Sequence, residues 1–190
     1  GLMGNCDPSG GVPVSNPAAS RFNDVPARPL ADHEGAPLLQ VTGDCARLML
    51  DRPAQHNRLD PADVDALSRW FAEVEAEGRL RSLVITGRGD RTFSSGYTLQ
   101  AITTELDDRF ELMLNRLERL PVTTIAAING GLYGGATDLA LCCDLRIGVQ
   151  GTRMFMPAVR FGLHYYPDGL RRYVSRLGLT AAQKLLLTAI

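Results

Sequence analysis

The sequence predicts an α/β layered fold. From Leu38 onward, β-branched strand-like runs alternate with segments whose apolar residues recur at helical spacing. A glycine-dense turn then joins a buried strand to a short, apolar helix.

The elements follow in order. Residues 38–41 and 46–50 predict two strands around the turn signal Gly43-Asp44. Asp60-Pro61 starts a helix, with Asp60 at the N-cap and Pro61 at the first helical position. Val64, Leu67, Phe71 and Val74 form its apolar face, and Gly78 ends it. Residues 82–86 predict a buried strand and residues 87–98 a loop. A second helix is expected over 99–120, where Leu106, Phe110, Met113, Leu114 and Leu117 have the spacing of core packing. A strand at 123–128, a helix at 134–143, and strands at 145–149 and 153–156 come next. Residues 168–177 and 181–188 look helical, with Thr180 and Gln183 as a capping box for the last.

Bulk properties narrow the function classes. A chain of 190 residues suits one domain, 38–190, preceded by a flexible arm, 1–37, that holds six of the eleven prolines. Apolar content of 45% with 22% charged residues indicates a globular chain. A net charge of −1 argues against electrostatic binding of nucleic acid. No apolar run approaches the roughly 20 residues needed to span a bilayer, and no signal-peptide pattern is expected. Cys6, Cys45, Cys142 and Cys143 lack metal-ligand spacing and predict free thiols in a reducing cytoplasm.

The most informative stretch runs from Pro121 to Asp144. Gly130, Gly131, Gly134 and Gly135 permit positive φ and close approach of a ligand to the backbone. A helix starting there directs unpaired N–H groups outward, which suits a ligand oxygen carrying negative charge. The turn lacks the GxGxxG spacing of a dinucleotide site and the Lys-Ser/Thr pair of a P-loop.

Four segments in the same order resemble the crotonase, or enoyl-CoA hydratase/isomerase, superfamily over about four-fifths of the chain. They are Leu50-Asp51-Arg52-Pro53 with Asn57; Val84-Ile85-Thr86-Gly87 with Phe93-Ser94-Ser95-Gly96-Tyr97-Thr98-Leu99; the Pro121–Asp144 stretch; and Pro157, Gly162 and the Gly169 to Arg172 segment. The resemblance implies a crotonase-type spiral of repeated β-β-α units. It also implies an acyl-CoA thioester substrate whose carbonyl oxygen lies between the backbone N–H groups of Tyr97 and Gly135 as an enolate forms.

By the same resemblance, Ser95, Gly96, Thr98, Leu99 and Gly134 line the pantetheine and thioester region, and Arg58 or Arg52 meets a phosphate of coenzyme A. The two glutamates of a typical hydratase of this family correspond here to Asp138 and Ala158. Loss of one carboxylate favours double-bond isomerisation, with Asp138 as base, over hydration. Tyr166, four residues after Gly162, stands where relatives often carry an acid, and His164 and Asp168 lie nearby. Competing readings make Asp138 a helix-terminus carboxylate and Asp168 an N-cap. A different function, acyl-CoA binding or assembly without catalysis, stays open beside the enzymatic one. No metal is implied, and no cofactor beyond the coenzyme A of the substrate. A homotrimer or dimer of trimers is implied, as are further C-terminal helices beyond those in this sequence.

Overall fold

The computed structural model describes residues 28–29, 35–98 and 108–189. Most of the expected arm, the 99–107 part of the expected second helix, and Leu99 lie outside the described residues. Within the arm, Arg28–Pro29 forms β1, which pairs antiparallel with β2 (Leu38–Thr42). The turn at Gly43, with φ of +61°, returns the chain as β3 (Cys45–Leu50) in an antiparallel hairpin.

From β3 onward the pairing is parallel. β3 lies beside β4 (Ser82–Gly87), β4 beside β6 (Thr123–Ile128), and β6 beside β8 (Leu145–Gly148). The large sheet therefore has the order β1-β2-β3-β4-β6-β8. A second, parallel sheet has the order β5-β7-β9, from Thr92–Ser94, Gly131–Tyr133 and Met154–Phe155. After the β2–β3 hairpin and its helix, each turn of chain gives one strand to the large sheet, the next to the small sheet, and then a helix. This is the expected spiral of β-β-α units.

The helices are α1 (Pro61–Ala76), α2 (Arg109–Glu118), α3 (Gly135–Cys142), α4 (Pro167–Leu177) and α5 (Leu179–Thr188). Asp60 caps α1 as expected, and the Asp63 carboxylate accepts the Asp60 amide at 2.9 Å. Val64, Leu67, Phe71 and Val74 are buried in one core with Leu48, Leu83 and Ile85 of the sheet and Leu114 and Leu117 of α2. Apolar burial along these faces, at about 25 cal/mol per Å², is what holds the layers together.

Several local expectations need correction. β5 falls within the expected loop and β7 within the expected glycine turn. Each has three residues, so neither carries a period-2 signal long enough to detect, and each is ordered by partners far away in sequence. α5 begins at Leu179 with Gly178 at its N-cap, so the Thr180/Gln183 pattern does not cap it. α4 is capped by Tyr166 and begins at Pro167, which puts Asp168 inside the first turn and not at the cap.

Cys142 and Cys143 are buried free thiols, and burial pushes the Cys143 thiol up to about 12. Among the described residues, no helix is long and apolar enough to cross a membrane.

Phe71 is fully buried between α1 and the sheet. Phe71→Ala is expected to lower the free energy of unfolding by about 3–5 kcal/mol, read from a urea denaturation curve.

Candidate active site

Two glycine-bearing bends meet at the N-terminus of α3. The first follows β5 and is fastened to the 56–59 segment. Ser95 donates its amide to the His56 carbonyl at 2.8 Å, Leu59 to Gly96 at 2.9 Å, and Thr98 to Leu59 at 3.0 Å. The buried Ser94 hydroxyl accepts the Gly96 amide at 3.0 Å and donates to the Asn57 carbonyl at 2.7 Å. Asn57 is buried as well. Its Oδ1 accepts the Arg52 amide at 3.1 Å, and its Nδ2 donates to the carbonyls of Arg88 at 3.0 Å and Thr92 at 2.8 Å.

The second bend leaves β7 at Gly134, whose φ of +55° and ψ of −130° suit glycine. Its amide donates to the Phe155 carbonyl at 2.8 Å, and α3 starts at Gly135. The two bends touch main chain to main chain. A Cβ on Gly96 would lie 2.8 Å from the Gly135 nitrogen, and one on Gly135 would lie 3.5 Å from the Tyr97 nitrogen. The Gly135 position also faces Phe110, whose Cζ would be 2.7 Å from such a Cβ. Phe110 in turn stacks on Tyr97, with ring centroids 4.9 Å apart and planes 5° from parallel.

Asp138, in the first turn of α3, is fully buried. Its Oδ2 accepts the phenol of Tyr165 at 2.7 Å and also that of Tyr166, and its Oδ1 accepts Arg172 Nη1 at 2.9 Å. Arg172 is itself buried. It further donates to the Tyr166 oxygen at 3.0 Å, to Glu118 at 3.0 Å, and to the side-chain oxygen of Asn115. Gly169 of α4 makes room for the two tyrosine rings, because a Cβ there would clash with Tyr165 and sit 3.0 Å from Tyr166 Cζ. Burial and the adjacent Asp138 charge push both phenols well above their ordinary range, so they are neutral donors.

The structure thus brings Tyr97, Gly96, Gly134 and Gly135 together, and gathers Asp138 and Tyr166 in one network. Other expected residues are placed differently. Ala158 is buried and brings no titratable group. His164 is exposed. Asp168 accepts the Asn115 amide group at 2.9 Å. Arg58 is forked onto Asp60 at 2.8 Å and 3.2 Å, which raises its pKa, while Arg52 pairs with Asp63 and with Asp60 at 3.1 Å. Ser95 and Thr98 are half-buried along the first bend.

Sequence reasoning passed over Asn115 and Glu118, and used Arg172 only as part of a motif. Their partners in the cluster lie 34 to 57 residues away in sequence, so no local pattern marked them. A cleft of about 270 Å³ near Asn57 is lined by His56, Arg88 and Arg91 among others.

Stacked β-β-α turns with two glycine bends meeting at a helix N-terminus define a crotonase-fold protein. The family model described as enoyl-CoA hydratase/isomerase matches residues 41–190, and the chain belongs to that family. Among its relatives is the short-chain-enoyl-CoA hydratase of Clostridium acetobutylicum, 28% identical over 80% of this chain and 61% of that one. The enoyl-CoA hydratase ACTT6 of Alternaria alternata is 31% identical over 82% of this chain and 52% of its own. An enoyl-CoA hydratase from Bacillus anthracis, solved by crystallography, superposes with a TM-score of 0.75 at 25% identity, covering 81% of this chain and 63% of that one. The chain therefore spans roughly half to two-thirds of the length of these relatives.

Two expectations follow from the Arg172 cluster. Arg172→Met strips a buried carboxylate of its partner and should lower the free energy of unfolding by about 3–5 kcal/mol, measured by chemical denaturation. Burial alone would raise the Glu118 carboxyl, but hydrogen bonds from Arg171 and Arg172 bring it below its usual value. A carboxyl so lowered adds stability above its unfolded pKa, and that increment disappears as pH falls through the folded value. The drop in melting temperature between pH 7 and an acidic buffer near pH 3 should therefore be smaller for Glu118→Gln than for the native chain.

Proposed function

We propose that this chain is an acyl-CoA enzyme that forms a thioester enolate and moves a double bond in preference to adding water. The observation that carries the reading is the contact between the two bends, which brings the Tyr97 and Gly135 nitrogens to one place at the start of α3. Two N–H groups there would receive the thioester oxygen as charge builds on it, helped by the α3 N-terminus. Family membership and relatives named as enoyl-CoA hydratases and isomerases support the substrate class.

Isomerisation is favoured because Ala158 supplies no second carboxylate. Water addition calls for activation of the nucleophile and protonation of carbon, whereas a double bond moves when one base takes a proton and returns it. Asp138 is enclosed, so it could serve as that base only by relay: the Tyr166 oxygen would have to accept the proton as its own passes to Asp138 Oδ2. In this proposal Ser95, Gly96, Thr98 and Gly134 flank the thioester. The cleft near Asn57 favours Arg91 for a phosphate of coenzyme A, since Arg58 is held by Asp60 and Arg88 by Asp51. No further cofactor is part of the reading. A trimer, or a pair of trimers, is, and exposed Leu145 and Ile147 on β8 and Leu187 on α5 support association.

The second reading is acyl-CoA binding without turnover. It is favoured by the three donors already occupying the Asp138 carboxylate.

Gly96→Ala tests the central claim, because its φ of +85° and the nearby Gly135 nitrogen leave no room for a methyl group. Isomerisation of a 3-enoyl-CoA should drop by about 100-fold or more, as when an oxyanion donor is lost, while circular dichroism shows the fold retained. Unimpaired turnover in a folded Gly96→Ala chain would sink the enolate reading. Crotonyl-CoA hydrated faster than the 3-enoyl-CoA is isomerised would reverse the preference between reactions. Thioester binding with no turnover of either would leave the second reading standing.

A further inference from the structure

The face of α2 turned toward α4 carries Glu111, Asn115 and Glu118. They stand at i, i+4 and i+7, so their side chains leave one side of the helix. Contacts along this face advance in steps. Glu118 accepts Arg171 at 2.5 Å and Arg172 at 3.0 Å. Asn115, one turn earlier, accepts Arg172 and donates to Asp168 at 2.9 Å. Moving back along α2 thus moves back along α4, which directs Glu111, a further turn back, toward the N-terminal end of α4, where Asp168 acts on it. Its preceding neighbour, Phe110, is the residue whose ring lies on Gly135. Glu111 is therefore the carboxyl of α2 that follows Phe110 and continues the Asn115 and Glu118 face, within reach of the Asp168, Arg172 and Asp138 charges.

Glu118 and Asn115 are engaged with α4, and Asp138 is enclosed by two phenols and a guanidinium. Glu111 is half-buried and makes no hydrogen bond or ion pair among the described residues. Taking the enolate reading as given, we propose that Glu111, and not Asp138, is the base that acts on the bound thioester. The Glu111 carboxylate takes a proton from C2 of a 3-enoyl thioester. The C2–H pair moves into the dienolate, whose oxygen rests on the Tyr97 and Gly135 amides. Glu111 then returns the proton to C4, so the double bond lies at C2–C3 and no proton is gained or lost. The Asp138–Tyr165–Tyr166–Arg172 cluster is a positioning wall in this scheme, and Tyr166 relays no proton.

The electrostatics agree with such a role. Burial pushes the Glu111 carboxyl upward, as do the charges of Asp168 on α4, Asp108 on its own helix and Asp138 on α3, while Arg172 on α4 pulls the other way. A carboxylate made more basic in this manner is a better acceptor for a carbon-bound proton.

Exchange of the C2 protons of butyryl-CoA in deuterated water, followed by NMR, reads the proton-transfer step alone. Isomerisation of a 3-enoyl-CoA reads the full reaction. Native chain, Glu111→Gln, Glu111→Asp and Tyr166→Phe are compared. Glu111→Gln is expected to slow both by about 100-fold or more, with KM and the melting temperature little changed and Glu111→Asp recovering part of the rate. The native rate should fall as pH drops through the raised Glu111 pKa, and this acid limb should be missing from the residual rate of Glu111→Gln. Native-like exchange in Glu111→Gln, with exchange lost in Tyr166→Phe, would overturn the assignment in favour of the phenol relay and leave the enolate reading intact. A native chain that binds butyryl-CoA yet shows neither exchange nor isomerisation would overturn both.

Discussion

The ion pair between Asp138 and Arg172 fastens three helices together. Both side chains are fully withdrawn from solvent, and their 2.9 Å contact joins α3 to α4. Arg172 reaches α2 through Asn115 and Glu118. Charges removed from water are tolerated only when each is met by partners of good geometry, so the pair constrains everything around it. It sets where Tyr166 stands, how α2 approaches, and therefore where the Phe110 ring falls on Gly135.

This arrangement divides the site into two kinds of chemistry. Main-chain groups on the two bends lie side by side as fixed dipoles. Side-chain groups on α2, α3 and α4 supply what can titrate. The first set is anchored by Ser94 and Asn57, the second by Arg172, and Phe110 lies against Gly135 where the two meet. A fold that keeps its main-chain bends and its titratable side chains on separate elements can alter one set without rebuilding the other.

Much of the architecture was legible in the sequence. The strands at 82–87 and 123–128 are β-branched, and α1 announces itself through Asp60-Pro61 and four apolar residues at helical spacing. The glycine bend before α3 was legible for the same reason, since few other residues tolerate that backbone. The three-residue strands were not, because strand pairing from β5 to β7 to β9 alone defines them. The site was legible in its main-chain half and opaque in its side-chain half. Asp138 could be picked out as an acidic residue in a helix turn, but its enclosure by Tyr165, Tyr166 and Arg172 depends on α4 folding back across it. Asp168 looked like a helix cap until Pro167 moved the start of α4 upstream.

His56 and Asn57 are consecutive non-glycine residues in the left-handed region, with φ of 55° and 51°. Each such residue costs on the order of 1 kcal/mol, and the cost persists only where surrounding structure enforces it. Here the enforcement comes from the amide group of Asn57 spanning Arg52, Arg88 and Thr92. The crossing is thus a small loaded spring, latched by one carboxamide. A chain whose latch has been loosened should open first at this spot, ahead of the parallel sheet beneath it, so native-state amide exchange would detect motion at 56–59 and 95–98 long before the molecule as a whole comes apart.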